Sequence, residues 1–371
     1  MVMPPSIPDQ PGRSPRGRRP AKYRLAALAA ALLLLAGWLP AMAQEAAPIL
    51  LKVAGGLAGL VQYDRYEAPF WTTQVPRLTQ GRVQAEIAPF DRSGIRSQDM
   101  PALIRLGVVP FGNIHLAMAA GDEPELNAID LPVLNPDLAT LRQSLALWRP
   151  RIARLLLERY GVELLAVYTY PAQVVFCREA FARLDDLRGR RVRVSSVGQA
   201  ELLEAVGAIP VVIPFAEIMP AMRRQVVDCA VTGSLSGNAL GLQTITSHLS
   251  RQAISWGVTA FGANRTIWQG LPGLVRDQLQ GGLAQLEEEI WQAAGQETEE
   301  GFACNAGRPE CRLGTPGHMV LLEDSPQERR RRDELLRDAV LPAWVRRCGS
   351  ECAEAWNATI APVRGILAPE G

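Results

Sequence analysis

The stretch that decides the fold begins Leu184-Asp185-Asp186-Leu187-Arg188-Gly189-Arg190-Arg191-Val192-Arg193-Val194-Ser195. It continues as Ala205-Val206-Gly207-Ala208-Ile209-Pro210-Val211-Val212-Ile213-Pro214-Phe215-Ala216-Glu217-Ile218 and closes at Val226-Val227-Asp228-Cys229. A turn ends at Gly189, and the valine-rich run 191–195 predicts a strand. Residues 198–205 suit a helix, and 210–213 is again β-branched, so the three segments make a βαβ unit. Pro214-Phe215-Ala216-Glu217 opens another helix over 218–224, and 226–231 forms the next strand.

Upstream, the apolar strand 49–53 runs into the glycine turn Gly55-Gly56-Leu57-Ala58-Gly59 and an amphipathic stretch over 63–78. Strand 83–87 alternates apolar and polar residues, Pro89 and Gly94 make a loop, and a helix over 97–106 leads to a strand within 108–118. Asn113 and His115 interrupt that strand and predict a polar end. Pro132, Pro136 and Pro150 punctuate a helical middle, 151–160 has amphipathic leucine spacing, and strands follow at 163–169 and 173–177. Downstream, 275–301 predicts a long helix with Glu287-Glu288-Glu289 on a solvated face. Strands alternating with helices in two similar blocks give the expected fold: α/β, two lobes with a cleft between them.

At the N-terminus, Arg13, Arg16, Arg18, Arg19, Lys22 and Arg24 precede an apolar run over 25–39 that Pro40 ends, then Ala41-Met42-Ala43. This pattern predicts a signal peptide over 1–43 with cleavage after Ala43, because the run is too short for a membrane span of roughly 20 residues. Export to the periplasm follows as an expectation. The formal net charge of +1 turns mildly acidic once those six basic residues are gone, so no basic stripe remains to attract nucleic acid or anionic lipid.

An exported chain can form disulfides. Cys304 and Cys311 flank a Gly/Pro loop, and Cys348 and Cys352 follow; pairing within each set is expected, with pairing across the two sets left open. Irregular spacing argues against a zinc site. Cys177 and Cys229 sit in apolar runs and are expected as buried thiols.

The block 184–228 resembles the substrate-binding subunits of TRAP (tripartite ATP-independent periplasmic) transporters. Gly81-Arg82-Val83-Gln84-Ala85-Glu86-Ile87-Ala88-Pro89-Phe90 and the rest of 81–94, then 103–112, and Asn264-Arg265-Thr266-Ile267-Trp268-Gln269-Gly270-Leu271-Pro272 are similar to further segments of that family. The resemblance implies a two-lobed periplasmic binding protein fold with hinge strands and a long lobe-spanning helix. It implies capture of a small organic acid that is passed to integral membrane subunits, by a monomer with no cofactor, metal or catalytic residue. Its lobes would be 44–168, with part of 255–285 returning to it, and 169–254, followed by a C-terminal helical segment 286–371.

The resemblance makes Arg193 the carboxylate ligand, since a guanidinium fork matches both oxygens of a carboxylate. Strand alternation places Arg193 on the same face as Arg191, so periodicity alone does not single it out. Where relatives carry a second polar or basic residue, this chain has Gln173, a neutral amide that points to a substrate with one carboxylate or a differently placed second group. The family's Asp-Gly and Asn-Pro after the last strand are replaced by Asp228-Cys229 and the loop 232–238, from which Thr232, Ser234 and Asn238 are candidate ligands. Phe215 matches a position that contacts ligand in the family. Tyr168, Tyr170 and Trp256 are candidate aromatic walls, and His115 and Arg92 are expected on the cleft side.

Two other functions compete. An exported hydrolase would need a nucleophile elbow, and Leu235 occupies the place that a Gly-x-Ser-x-Gly motif gives to serine. His115, His248 and His318 are too scattered for a triad or a metal cluster. The glycine turn 55–59 lacks the spacing of a dinucleotide fingerprint. The second alternative keeps the fold but presents its ligand to a membrane sensor.

Overall fold

The computed structural model describes residues 47–370 together with Val2. The expected signal peptide and its cleavage site lie outside the described residues. In chain order the strands are β1 (Ile49–Gly55), β2 (Val83–Pro89), β3 (Phe111–His115), β4 (Val162–Tyr168), β5 (Gln173–Cys177), β6 (Arg191–Val194), β7 (Ile209–Val212), β8 (Cys229–Gly233), β9 (His248–Ser250), β10 (Thr259–Asn264) and β11 (Val320–Leu322). They form two sheets, ordered β2-β1-β3-β10-β4 and β11-β9-β5-β8-β6-β7. In each sheet a parallel βαβ half is extended by antiparallel strands, β10 against β3 and β4 in the first, β8 against β5 in the second.

The chain passes between sheets after β4 and again between β9 and β10. These two crossings are tied together: Gln173 N–H donates to Ser255 O at 2.8 Å, and Ile254 N–H donates to Gln173 O at 2.8 Å. A third connection is the long helix. Of the helices, α1 is Leu138–Tyr160, α2 Val197–Ala205, α3 Ser234–Ala239 and α4 Gly273–Ala306. Helix α4 starts after Pro272, stops at Gly307 in the left-handed region (φ 69°), and runs 34 residues. Trp291 Nε1–H donates to Val167 O on the first sheet's β4, while Thr298 Oγ1 accepts from Ala172 N–H at the crossing and Ser234 Oγ donates to Thr298 O on the second lobe's α3. The helix is therefore bound to both lobes. A Cβ on Gly301 would collide with the backbone of Ser234 and Leu235, so glycine is what lets α4 lie against α3.

Two sequence expectations change here. Pro150 does not end a helix: α1 runs through it, because Leu141, Leu145, Trp148, Ile152 and Leu155 make one buried face on both sides and outweigh a single missing backbone hydrogen bond. Residues 232–238 are not a loop either. β8 continues to Gly233 and α3 begins at Ser234, whose N–H donates to Ala172 O and whose carbonyl accepts from Asn305 Nδ2.

Cys304 pairs with Cys311 and Cys348 with Cys352. Cys177 and Cys229 are not thiols but a third disulfide. They stand directly opposite each other on β5 and β8, a register that sequence positions 52 apart could not reveal. Among the described residues no helix is long and apolar enough to cross a membrane.

Candidate functional site

A cleft of about 540 Å³, counting its part open to solvent, lies between the sheets. The first lobe contributes Leu57, Leu60, His115, Ala117 and Met118. The crossings contribute Tyr170, Gln173, Ser255, Gly257 and Val258, and the second lobe Arg193, Ser195, Gln199, Phe215, Thr232, Gly233 and Ser236.

Arg193 is 2% exposed. It sits on β6 between β7 and β8, and its Nε donates to Ile213 O at 2.8 Å just beyond β7 while Nη1 donates to Val231 O at 2.6 Å on β8. The two carbonyls fix the plane of the guanidinium. Among the described residues no carboxylate pairs with it and Nη2 has no protein acceptor. Burial lowers its pKa to about 9, which leaves the group protonated at neutral pH. Arg191, two residues back, is instead held by both oxygens of Asp228 at 3.1 and 2.6 Å.

The opposite wall is neutral. His115 at the end of β3 stacks on Tyr170, with ring centroids 5.1 Å apart and planes at 18°, and meets the edge of Phe90. Its Nδ1 lies 3.3 Å from Thr259 Oγ1, and burial drives its pKa down to about 4. Behind it, the buried Glu67 accepts from Gly56 N–H, Asn113 Nδ2 at 2.8 Å and Tyr168 Oη at 2.6 Å, and Tyr170 Oη accepts from Leu57 N–H. The glycine turn's donor is thus spent on a carboxylate, which is incompatible with cradling a phosphate. Desolvation raises the Glu67 pKa against the pull of those hydrogen bonds.

Asp130 fixes the edge of the cleft. Its carboxylate accepts from the backbone N–H groups of Trp256 (2.8 Å), Gly257 (2.8 Å) and Val258 (3.3 Å), the last two of which line the cleft. Burial pushes this carboxyl up to about 7.

Of the residues singled out in the sequence, Arg193, Gln173, Phe215, Thr232, His115 and Tyr170 come together in the lining. Ser234, Asn238, Trp256 and Arg92 do not. Ser234 is committed to α4, and Asn238 donates to Asn305 Oδ1 and Thr315 O and accepts from Thr315 N–H, anchoring the C-terminal loop. Trp256 faces inward and donates through Nε1 to Asn135 O. Arg92 is exposed at the end of a short turn outside the lining. Tyr168, a candidate wall, is a core residue bound to Glu67.

The sequence reading missed Ser195, Gln199, Ser236 and Ser255. Gln199 Oε1 accepts from Ser195 N–H and its Nε2 donates to Ser255 Oγ at 2.9 Å, so the amide links α2 to a crossing strand. Ser195 ends the Arg193 strand and was within reach of sequence reasoning. Ser236 was not, because it reaches the cleft only once 234–239 is known to be helical.

The family model for bacterial extracellular solute-binding protein, family 7, matches residues 65–303. The C4-dicarboxylate-binding periplasmic protein DctP of Rhodobacter capsulatus is 25% identical over 263 residues, covering 70% of this chain and 77% of its own. A solved extracytoplasmic solute receptor of Bordetella pertussis that binds pyroglutamic acid superposes with a TM-score of 0.75 at 18% identity, over 83% of this chain and 98% of its own. A TRAP periplasmic solute-binding protein of Rhodoferax ferrireducens with bound malonate gives a TM-score of 0.71 at 22% identity, over 84% and 99%.

Proposed function

The chain belongs to family 7 of the bacterial extracellular solute-binding proteins, and from that premise we propose that it captures a small organic acid by its carboxylate. It does so in the periplasm, after removal of residues 1–43, and hands the ligand to the integral membrane subunits of a TRAP-type secondary transporter. Capture requires no bond making, so the protein acts as a receptor and not as an enzyme, and as a monomer.

The observation that carries this function is Arg193, a guanidinium buried, oriented by two carbonyls and without an anionic partner among the described residues. A buried unpaired charge costs several kcal/mol, and a ligand carboxylate offsets that cost through charge-assisted hydrogen bonds in a poorly screened site. Pyroglutamic acid and malonate, the ligands of the two solved relatives, are both carboxylates. Gln173, Phe215, Thr232, His115 and Tyr170 complete the site. The lobes are 44–168 with part of 255–285 and 169–254, with β11 of the C-terminal segment 286–371 completing the second sheet, and they close about the crossings.

The test is a thermal-shift screen of protein purified from the periplasm against a broad panel of mono- and dicarboxylates, repeated with Arg193→Ala. A ligand raises the midpoint by mass action. Hits that vanish in the variant support capture at Arg193, hits that survive move the anchor elsewhere, and a blank panel with folded protein removes organic-acid capture.

A further inference from the structure

Among the described residues, Arg193 carries the only charged side chain of the cleft lining. No second arginine, lysine, aspartate or glutamate contributes, and the remaining polar groups are hydroxyls, amides and one imidazole. That imidazole is incomplete. His115 is 5% exposed, stacks on Tyr170, meets Phe90 edge-on, and has Nδ1 facing Thr259, yet its Nε2 is buried with no hydrogen-bond partner among the described residues. A buried polar nitrogen without a partner is costly and calls for one. Burial lowers its pKa to about 4, so without ligand the ring is neutral at physiological pH and presents no second cation. Leu57, Leu60, Met118 and Phe215 supply apolar contact around these two polar points.

Building on the carboxylate capture proposed above, we infer that the cleft selects monoanions: the ligand sets one carboxylate on Arg193 and a neutral hydrogen-bonding group, an amide or hydroxyl, against His115 Nε2. A second carboxylate entering this cleft would lose its hydration and meet neutral donors but no second cation among the described residues. An alkyl group in the same place would leave Nε2 unpaired. The cleft therefore discriminates on both sides, by repelling charge and by rewarding a neutral polar group.

The experiment measures Kd by calorimetry at pH 7.5 with protein purified from the periplasm. The ligands are two trios matched in length: glutarate, glutaramate and valerate, then succinate, succinamate and butyrate. Within each trio only the distal group changes, from carboxylate to amide to methyl. At the better-fitting length the amide acid is expected to bind at least about tenfold tighter than either companion. If neither length binds but the wider acid panel yields a larger hit, that acid is compared with its own amide and alkyl analogues. His115→Phe keeps the ring stack and removes the nitrogen, and is expected to shrink the advantage of amide over alkyl acid to about twofold or less. A diacid that binds as tightly as its monoamide overturns the monoanion selectivity while leaving carboxylate capture standing. An undiminished amide advantage in His115→Phe overturns the assignment of Nε2. Should that variant not fold, the wild-type comparison still decides the matter of charge. A blank across trios and panel removes carboxylate capture itself, and this selectivity with it.

Discussion

Arg191 and Arg193 stand two residues apart on the same face of one strand, and only Arg191 has an anion: Asp228 holds it with both oxygens, whereas Arg193 meets two backbone carbonyls. Identical side chains on one strand thus have opposite fates. Replacing Arg193 with Met should leave the ligand-free protein as stable as wild type or more so, because an unpaired buried charge is removed, while ligand affinity falls at least about a hundredfold. Arg191→Met should leave affinity within about twofold. Urea denaturation without ligand, alongside calorimetric titration, separates the two effects.

Asp130→Asn should weaken both fold and binding. Three backbone N–H groups converge on the carboxylate, and an amide accepts through one oxygen while turning donors toward the others. The expected loss is about 1–3 kcal/mol of stability. Affinity should fall as well, since Gly257 and Val258 line the cleft. Unchanged affinity at reduced stability would limit Asp130 to a structural role.

Stability should carry a pH signature from two carboxyls that burial raises to about 7, Asp130 and Glu297. Their ordinary values lie near 4, so between roughly pH 4.5 and 7 the folded protein binds more protons than the unfolded chain. The stability they contribute is complete below that window and is lost as pH rises through 7. Asp228, Asp186 and Glu288, whose pKa values are lowered, act in the opposite sense and lose their contribution as pH falls below about 4. Glu297 accepts from Gln62 Nε2 at 2.8 Å. Glu297→Gln should flatten the decline between pH 5 and 8 by on the order of 2 kcal/mol, read from denaturation midpoints across that range.

The three disulfides should rank by the chain they enclose. Cys177–Cys229 spans 52 positions, against 7 for Cys304–Cys311 and 4 for Cys348–Cys352. Loop-closure entropy gives about 4 kcal/mol for the first and about 2 for each of the others. Paired Cys→Ala variants, unfolded in urea, should reproduce that order; equal losses would show that local packing outweighs chain entropy.

Gly301→Ala should destabilise the protein by about 1–3 kcal/mol, since the methyl has no room against Ser234 and Leu235. Because α3 carries Ser236 into the cleft, the same substitution should also weaken ligand binding. Thermal unfolding and titration of one sample check both.

How much of this was legible in sequence differs by element. The βαβ unit over 184–228 was read almost to the residue: β6, α2 and β7 follow from a short β-branched run, a helical run and a second β-branched run between prolines. Local pattern suffices when strand and helix signals alternate over a few residues. β9, β10 and β11 were not read, because each is short and gains its identity from a partner far along the chain, β10 from β3 and β4, β11 from β9.

By itself the sequence determined the alternation of strands and helices and the two-lobed class, and the family resemblance of the motif at 191–195 singled out Arg193, which the structure places in the cleft lining. Backbone propensity and hydrophobic period are local and survive without neighbours. Tertiary structure alone decided that Arg191 has an anion and Arg193 none, that Cys177 faces Cys229, and that Trp256, Ser234 and Asn238 turn away from the cleft. It also decided that His115 has a buried nitrogen without a partner among the described residues. Each of these depends on which groups distant in the chain share a few ångströms of poorly solvated space, and there pairing, burial and charge are settled by what lies opposite.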